Sequence, residues 1–278
     1  MRFLLLVSLC WSGASWAIEV QGHRGARGIR PENTLAAFRY AIELGVDVLE
    51  LDLVVTKDNH LVISHDPILN PEICLSPQGK KIAKDISVRS LTLKELQQYD
   101  CGSLKNPRFP KQVSSKEKIP SFQELIAIAP RAKFNIETKT EPAAPHLTPD
   151  ANEFAKLVVT ILEKNNLVDR TVVQSFDFRT IKAVKSLNPK VKTAQLIYGT
   201  YLNYVDVAKS SGADIISPDV ASIDLAAVEA LHKNKIKVIP WTANEPAEWD
   251  YLISIGVDGI ISDYPSELIK HLKIKKKR

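Results

Sequence analysis

One stretch of the chain, from His23 to Asp66, contains five residues of types that could do chemistry, namely His23, Arg24, Glu50, Asp52 and His65. The motifs are Gly-His-Arg-Gly at residues 22–25, Pro-Glu-Asn-Thr at 31–34, Glu-Leu-Asp at 50–52 and His-Asp at 65–66. Glu50 and Asp52 are two positions apart in an apolar run, so on a β-strand both side chains point to the same face. Two buried acids repel each other and lose hydration, so they need a cation or strong hydrogen bonds. The pair therefore predicts a metal site.

These motifs, in this order and spacing, resemble those of the glycerophosphodiester phosphodiesterase family. The resemblance covers nearly all of the chain after residue 17. It implies an enzyme that hydrolyses glycerophosphodiesters, such as glycerophosphocholine and glycerophosphoethanolamine, to an alcohol and sn-glycerol 3-phosphate. Several short motifs in a fixed order make the resemblance specific.

Length and composition indicate one globular domain. The chain has 278 residues, 45% of them hydrophobic and 25% charged, and a single α/β barrel takes about 250 residues. The net charge is only +5, and basic residues cluster in the C-terminal tail at 273–278. We interpret this tail as a solvated terminus, with weak attraction to anionic membranes as the alternative. No basic patch is interleaved with aromatic residues, which argues against a nucleic-acid partner.

The N-terminus has the pattern of a signal peptide. Arg2 precedes a short apolar run, and Ser-Trp-Ala at residues 15–17 resembles a cleavage site. The run is too short to span a bilayer, so we expect no stable membrane insertion. Cys10 follows Leu9 and not a small residue, which argues against lipoprotein processing. We expect residues 1–17 to be removed and 18–278 to be exported, to the periplasm or the medium.

The remaining chain alternates between strand and helix patterns. Eight strand patterns, each followed by a helix pattern, predict an α/β fold of the TIM-barrel type, (β/α)8. We expect the first helix to begin at Pro31 and Asn33, and the second strand to span residues 46–56. A short strand over residues 60–64 should deliver His65, and the seventh barrel strand should span 237–241. The sequence does not indicate the oligomeric state.

An insertion after the second strand region, about residues 66–118, interrupts this alternation. It is far longer than an ordinary connection of about 2–6 residues. We expect it to pack beside the catalytic face and to select the leaving alcohol. It contains Cys74 and Cys101, the two cysteines of the exported chain. Export favours a disulfide between them, and two separate buried thiols are the alternative.

Chemistry in such barrels gathers at the C-terminal ends of the strands. Polar residues fall at these positions on five of the predicted barrel strands. They are His23 and Arg24 after the first strand, Glu50 and Asp52 on the second with His65 on its extension, Asn135, Glu137 and Lys139 around the end of the third, Gln174 at the fourth, and Trp241 and Asn244 at the seventh.

The family resemblance suggests roles for these residues. Glu137 would join Glu50 and Asp52 in holding one cation, and an all-oxygen set suits Ca²⁺ or Mg²⁺. His23 and His65 would be the catalytic acid and base, in an order that the sequence leaves open. The glycerol 2-hydroxyl would attack phosphorus, and water would open the resulting cyclic phosphate.

Other positions carry a weaker signal. Arg24 would contact phosphate or pair with a barrel carboxylate. Lys139, Gln174, Trp241 and Asn244 are candidates for substrate binding, although Trp241 could equally serve packing. Asp66 would orient His65 or begin the insertion. We treat four histidines as incidental, namely His60, His146, His232 and His271.

Two other functions compete with the phosphodiesterase. The first is a related barrel phospholipase acting on lysophospholipid or sphingomyelin. The second is a catalytically silent binding barrel, which would have lost a histidine or a metal carboxylate. None of these residues is missing.

Overall fold

The computed structural model describes residues 17–199 and 203–278. Apart from its last position, the predicted signal peptide lies outside the described residues. The strands are β1 (Glu19–Gly22), β2 (Val48–Val55), β3 (Leu61–Ile63), β4 (Lys133–Thr138), β5 (Thr171–Ser175), β6 (Lys192–Ile197), β7 (Ile215–Pro218), β8 (Lys237–Val238) and β9 (Gly259–Ser262). The helices are α1 (Leu35–Leu44), α2 (Leu93–Leu96), α3 (Phe122–Ile128), α4 (Ala151–Lys164), α5 (Phe178–Leu187), α6 (Tyr204–Ser211), α7 (Leu225–Lys233), α8 (Pro246–Ser254) and α9 (Pro265–Ile274).

The predicted barrel is confirmed. Within the described ranges, parallel strands follow the order β8-β7-β6-β5-β4-β2-β1-β9, and β3 pairs antiparallel with β2. Asp258 and Ile261 donate backbone hydrogen bonds to the carbonyls of Val238 and Pro240, at 2.9 and 3.1 Å, and these bonds link the two ends of the sheet. The strand C-termini therefore meet at one end of the barrel. No helix in the described ranges combines the length and the apolar character that a bilayer crossing requires.

The first helix begins later than predicted. Thr34, not Asn33, is its N-cap, and the Thr34 hydroxyl accepts a hydrogen bond from the Ala37 backbone N–H. Asn33 has a left-handed backbone, with φ of 57°, and its side chain donates to Asp52 instead of capping the helix. Gly45 ends the helix as predicted, in the left-handed conformation that glycine adopts without cost.

The seventh barrel strand, β8, is shorter than predicted. Pro240 has no backbone N–H to donate, so regular pairing stops at Val238. The chain beyond it still follows the barrel wall, because Trp241 forms a single parallel bridge with Asp219. Trp241 and Asn244 thus remain at the C-terminal end of the barrel.

The segment between β3 and α3 has a small core of its own. Leu69, Val88 and Leu96 are fully or almost fully buried and pack together with the disulfide between Cys74 and Cys101. The predicted disulfide is therefore present. The Gln112 side chain anchors the segment to the loop after β1 by donating to the backbone carbonyls of residues 27 and 30, at 2.7 and 3.0 Å. The segment therefore lies against the loop after β1, at the C-terminal end of the barrel strands.

Removing the disulfide should destabilise the protein. It joins residues 27 positions apart, and the chain-entropy model predicts a loss of about 3–4 kcal/mol when such a loop is opened. The double variant Cys74→Ser, Cys101→Ser should show this loss in the free energy of unfolding, measured with urea. Wild-type protein with the disulfide reduced is the control, and it should unfold at the same urea concentration as the double variant. Two free thiols in the non-reduced wild type, detected by mass spectrometry, would contradict the prediction.

Candidate active site

Three buried carboxylates meet where β2 and β4 run side by side. The parallel register places Asp52 opposite Glu137, and Glu50 lies two residues earlier on the same face of β2. Glu50 and Asp52 are each 1% exposed, and Glu137 is 7% exposed. One oxygen from each carboxylate lies within 4.8 Å of the others. This group could hold a metal ion.

A series of hydrogen-bonded amide side chains fixes the orientation of the Glu50 carboxylate. One carboxylate oxygen accepts a hydrogen bond from the Gln174 amide, and the other accepts from the backbone N–H of Arg24, both at 2.8 Å. The Asn135 amide donates in turn to the side-chain oxygens of Gln174 and Gln21, at 2.9 and 2.8 Å. Glu50 therefore has a fixed orientation.

Asp52 and Glu137 share a buried lysine. The Lys139 ammonium lies 2.6 Å from a Glu137 oxygen and 3.1 Å from Oδ1 of Asp52. Oδ2 of Asp52 accepts from the Asn33 amide at 2.8 Å and lies 3.1 Å from Nε of Arg24. Oδ1 of Asp52 is buried and has no hydrogen bond of good geometry.

The three acids differ in their proton affinity. Burial and the neighbouring Asp52 charge raise the pKa of Glu50 well above its usual value. Burial likewise raises the pKa of Glu137, although Lys139 opposes the effect. Burial also disfavours the charged form of Asp52, but Lys139 and Arg24 outweigh it and hold the pKa of Asp52 well below its usual value. The surroundings of the group therefore disfavour ionisation of Glu50 and Glu137 and favour that of Asp52.

These residues fit a hard divalent cation. All donors are oxygens, and Oδ1 of Asp52 has the Lys139 ammonium 3.1 Å away but no hydrogen bond of good geometry. Among the described residues, Glu32 adds a fourth carboxylate, 2.6 Å from the Arg24 guanidinium. Arg24 and Lys139 are the cations that contact this cluster most closely. Arg27 also contacts Glu32, at 3.7 Å, and pairs with Asp263 at 3.4 Å. With this pair included, three cations face five carboxylates, and one divalent ion would compensate the two remaining negative charges.

His23 lies beside this group and is oriented by Asp263. The distance from Nδ1 to an Asp263 oxygen is 2.5 Å, and Nε2 lies 4.0 Å from Glu50. Burial lowers the pKa of His23 to about 4 despite the Asp263 charge. Although burial of Asp263 opposes ionisation, His23 and Arg27 lower the pKa of Asp263 to about 2. At neutral pH the imidazole is therefore uncharged, its Nδ1–H donates to Asp263, and Nε2 is free to accept a proton.

The sequence reasoning missed Asp263. It is the first residue after β9, a position at which barrel enzymes carry functional side chains. The strand-end rule applied to the last strand would have identified it. The Asn244 amide donates to its second oxygen at 2.8 Å. Asn244 is therefore connected to His23 through Asp263.

His65 lies at the start of the insertion and is more accessible. Its Nδ1 lies 2.7 Å from an Asp66 oxygen, and its side chain is 36% exposed. Asp66 therefore contacts the imidazole. Of the two roles considered for Asp66, this contact fits the orientation of His65. If Nδ1 carries the proton, Nε2 points away from Asp66.

The remaining candidates fall into two groups. Arg24, Lys139 and Gln174 contact the carboxylates as described above. Trp241 donates its indole N–H to the Ser217 carbonyl at 2.9 Å, and its ring is half-buried at the barrel end.

The four incidental histidines lie outside the carboxylate group. His60, His232 and His271 contact Asp58, Asp258 and Asp250, and His146 is exposed in a loop.

Known proteins share this architecture over most of the chain. The model of the "Glycerophosphoryl diester phosphodiesterase family" matches residues 23–267. A glycerophosphodiester phosphodiesterase of Caldanaerobacter subterraneus subsp. tengcongensis is 33% identical over 252 residues, which are 90% of this chain and 96% of that one. A lysophospholipase D of Rattus norvegicus is 27% identical over 90% of this chain and 84% of its own length.

Solved structures agree with these matches. The crystal structure of a Silicibacter pomeroyi protein assigned to the same activity superposes with a TM-score of 0.88 at 27% identity, covering 94% of this chain and 95% of that one. The fold and the site thus define an α/β-barrel phosphoric diester hydrolase. The chain belongs to the glycerophosphoryl diester phosphodiesterase family. It is an enzyme with glycerophosphodiester phosphodiesterase activity.

Replacing Asp263 by Asn should lower turnover while the barrel stays folded. The change removes the anion that accepts the Nδ1–H of His23, so Nε2 is no longer held unprotonated. General acid–base groups contribute about 10²–10⁴-fold, and we expect a loss within that range in a diester hydrolysis assay. Asp224→Asn is the matched control, because Asp224 caps α7 and asparagine caps a helix equally well. Unchanged turnover in Asp263→Asn would refute the orienting role.

Proposed function

We propose that the enzyme uses one divalent cation, Ca²⁺ or Mg²⁺, held by Glu50, Asp52 and Glu137. Its substrates would be glycerophosphodiesters such as glycerophosphocholine and glycerophosphoethanolamine, and its products an alcohol and sn-glycerol 3-phosphate. The observation that carries this proposal is the buried carboxylate group with unbalanced negative charge beside a neutral, oriented histidine.

Positive charge is what a phosphodiester requires at this site. Its phosphorus is shielded by negatively charged oxygens, and a bound divalent cation would neutralise them. Arg24 and Lys139 border the same carboxylates, so their side chains add fixed positive charge where the phosphate would bind. Burial excludes water and strengthens these interactions.

His23 is the better candidate for the base. It is neutral at pH 7, and its Nε2 is free because Nδ1–H donates to Asp263. Nε2 would accept the proton of the glycerol 2-hydroxyl as that oxygen attacks phosphorus. His65 would donate a proton to the oxygen of the departing alcohol. The two roles reverse when water opens the cyclic phosphate.

The insertion would contact the departing alcohol. It begins directly after His65, the proposed proton donor, and lies against the loop after β1 at the barrel end. The choline or ethanolamine group would therefore lie under this segment, while the phosphate contacts the barrel. The insertion would therefore discriminate among the alcohols.

We also propose that the protein is exported. The sequence pattern of residues 1–17 supports this proposal, as does the disulfide between Cys74 and Cys101, because disulfides persist mainly in oxidising compartments.

Metal binding and proton transfer should be separable by mutation. Asp52→Asn and Glu137→Gln each remove an anionic ligand, so cation affinity should fall at least about 10- to 100-fold along with the rate. His23→Ala and His65→Ala remove no proposed ligand. Turnover should fall about 10²–10⁴-fold in these variants while the cation still binds. Calorimetric titration with Ca²⁺ and Mg²⁺, beside an assay of choline release from glycerophosphocholine, measures both quantities.

His60→Ala is the matched control, because His60 is exposed and contacts only the loop residue Asp58 among the acids described. Both its turnover and its metal affinity should stay normal. Near-normal metal affinity in the two carboxylate variants would disprove the metal site. Full activity of the wild type after exhaustive chelation would disprove metal dependence.

The assignment of acid and base can be tested with the leaving group. p-Nitrophenolate departs without a proton, so glycerophospho-p-nitrophenol needs a base but no acid. The rate deficit of His65→Ala should therefore shrink at least about tenfold on this substrate relative to glycerophosphocholine, whereas the deficit of His23→Ala should persist. The opposite pattern would show that the two roles are exchanged.

A further inference from the structure

Arg27 lies in the loop after β1, and its guanidinium is placed between two carboxylates. Nε of Arg27 is 3.4 Å from Oδ1 of Asp263 and 3.7 Å from a Glu32 oxygen. This nitrogen is buried and has no hydrogen bond of good geometry. Oδ1 of Asp263 is the same oxygen that Nδ1 of His23 contacts. Arg27 therefore borders the acid that orients the proposed base.

An aromatic side chain of the insertion lies against this guanidinium. The central guanidinium carbon of Arg27 is 4.7 Å from the ring centroid of Phe109, which is 6% exposed. A cation is attracted to the face of an aromatic ring, and the attraction is stronger where water is excluded. Since Nε has two carboxylates at similar distances and a hydrogen bond of good geometry to neither, the ring fixes where the guanidinium lies.

Phe109 also contacts the residue that follows Asp263. The rings of Phe109 and Tyr264 meet edge to face, with centroids 6.3 Å apart and planes at 70°. Gly28 allows Tyr264 to lie this close to the loop, because a Cβ at Gly28 would come within 2.4 Å of the Tyr264 ring. The Gly28 N–H donates to the Asp263 carbonyl at 3.0 Å. One ring of the insertion thus packs against both the loop after β1 and the turn after β9, which together hold Asp263.

The insertion holds Phe109 in a defined place. The Phe109 N–H donates to the Asn106 carbonyl at 3.0 Å, and the Phe109 carbonyl accepts from the Gln112 N–H at 2.9 Å. The side chains of Asn106 and Gln112 are buried, and the Gln112 amide donates to the backbone carbonyls of residues 27 and 30. The turn that carries Phe109 is therefore attached directly to the loop that carries Arg27.

We propose that Phe109 and Arg27 are positioning residues through which the insertion fixes Asp263, and with it His23, in the orientation that catalysis requires. This proposal rests on the proposed function, in which His23 transfers a proton. It gives the insertion a second role besides discrimination among alcohols. In the described parts of the chain, Phe109 and Arg27 make no ion pair or hydrogen bond with the three carboxylates proposed to hold the cation. Their effect should therefore be on proton transfer and not on the metal.

The effect would pass through one carboxylate oxygen. Without the ring, the Arg27 guanidinium is free to turn toward Glu32, which lies only 3.7 Å away. Of its described ion-pair contacts, Oδ1 of Asp263 would then keep the one with Nδ1 of His23, and the carboxylate could rotate together with the imidazole. Nε2 of His23 would no longer be held toward the 2-hydroxyl. A proton-transfer group loses rate when its placement is no longer fixed.

Kinetics on three diesters test the proposal. Phe109→Leu keeps an apolar side chain but removes the ring face, so kcat should fall about 3- to 30-fold. Arg27→Met removes the cation, so kcat should fall about 10- to 100-fold. KM should stay at the wild-type value. The losses should be equal for glycerophosphocholine, glycerophosphoethanolamine and glycerophospho-p-nitrophenol, because the base acts on the glycerol that these substrates share.

A double-mutant cycle tests the route through Asp263. In the Asp263→Asn background, Phe109→Leu and Arg27→Met should have little further effect on kcat, because the acid through which they act is gone. In the His65→Ala background, each should cause the same loss as in the wild type. The affinity for Ca²⁺ and Mg²⁺, measured by calorimetry, should stay normal. A full further loss in the Asp263→Asn background, or a loss of metal affinity as large as the loss in kcat, would overturn the proposal.

A second pair of the same kind in the same loop supplies the matched controls. The Arg30 guanidinium lies 5.3 Å from the ring centroid of Tyr40 on α1. Tyr40→Leu and Arg30→Met should therefore leave kcat unchanged. A loss in these variants equal to that in Phe109→Leu and Arg27→Met would overturn the proposal, because it would mark a general loosening of the loop. Urea unfolding verifies that each variant is folded, and Phe109→Leu tests the proposal by itself if Arg27→Met does not fold.

The remaining outcomes separate this proposal from the proposed function. A loss confined to one alcohol, or one that appears in KM alone, would assign Phe109 to binding of the alcohol and overturn the positioning role. Unchanged kcat in both Phe109→Leu and Arg27→Met would also overturn that role and leave the proposed function standing. Failure of the wild type to hydrolyse any of the three diesters, with metal supplied, would overturn the proposed function itself.

Discussion

The repulsion among three buried carboxylates is the constraint that organises this site. Glu50, Asp52 and Glu137 converge where β2 and β4 run side by side, with one oxygen of each within 4.8 Å of the others. Water cannot screen their charges there. Arg24 and Lys139 compensate part of that charge. The remainder suits a divalent cation and, once the cation is bound, an anionic phosphodiester. Under the proposed function, affinity for the substrate would originate in charge that the protein leaves unbalanced.

The barrel stabilises such a cluster because it supplies rigid hydrogen-bond donors to the carboxylates. Adjacent parallel strands hold the amides of Gln174 and Asn135 in register beneath Glu50. The turn after β1 adds a backbone N–H from Arg24, which takes a left-handed conformation with φ of 49°. Gly25 allows this turn to lie against α1, because a Cβ at Gly25 would come within 2.8 Å of the Ala37 side chain. Backbone conformation therefore contributes directly to the orientation of an acid.

The catalytic end of the barrel is divided into two unlike halves. On the β1 side, a disulfide-linked insertion with its own small core begins directly after His65 and lies against the loop after β1. On the side of β5 to β8, the connections are short and leave Phe176 and Tyr198 exposed. The two halves would meet different ends of one diester, since a phosphate bound between them directs one ester group to each side. Under the proposed function, the long connection would restrict one end of the substrate, and the open side would leave the other free.

The sequence by itself determined the barrel, and it singled out both histidines and the three acids that could hold a metal ion, because these signals are local. The spacing of Glu50 and Asp52 shows that they share a face of one strand, and short motifs at strand ends indicate where side chains converge. Only the tertiary structure decided which groups touch. Asp263 contacts His23 across 240 positions of sequence, and Lys139 lies between Asp52 and Glu137 of different strands. Periodicity describes a single element, whereas contacts between strands depend on register and barrel closure, which the packing of the whole chain decides.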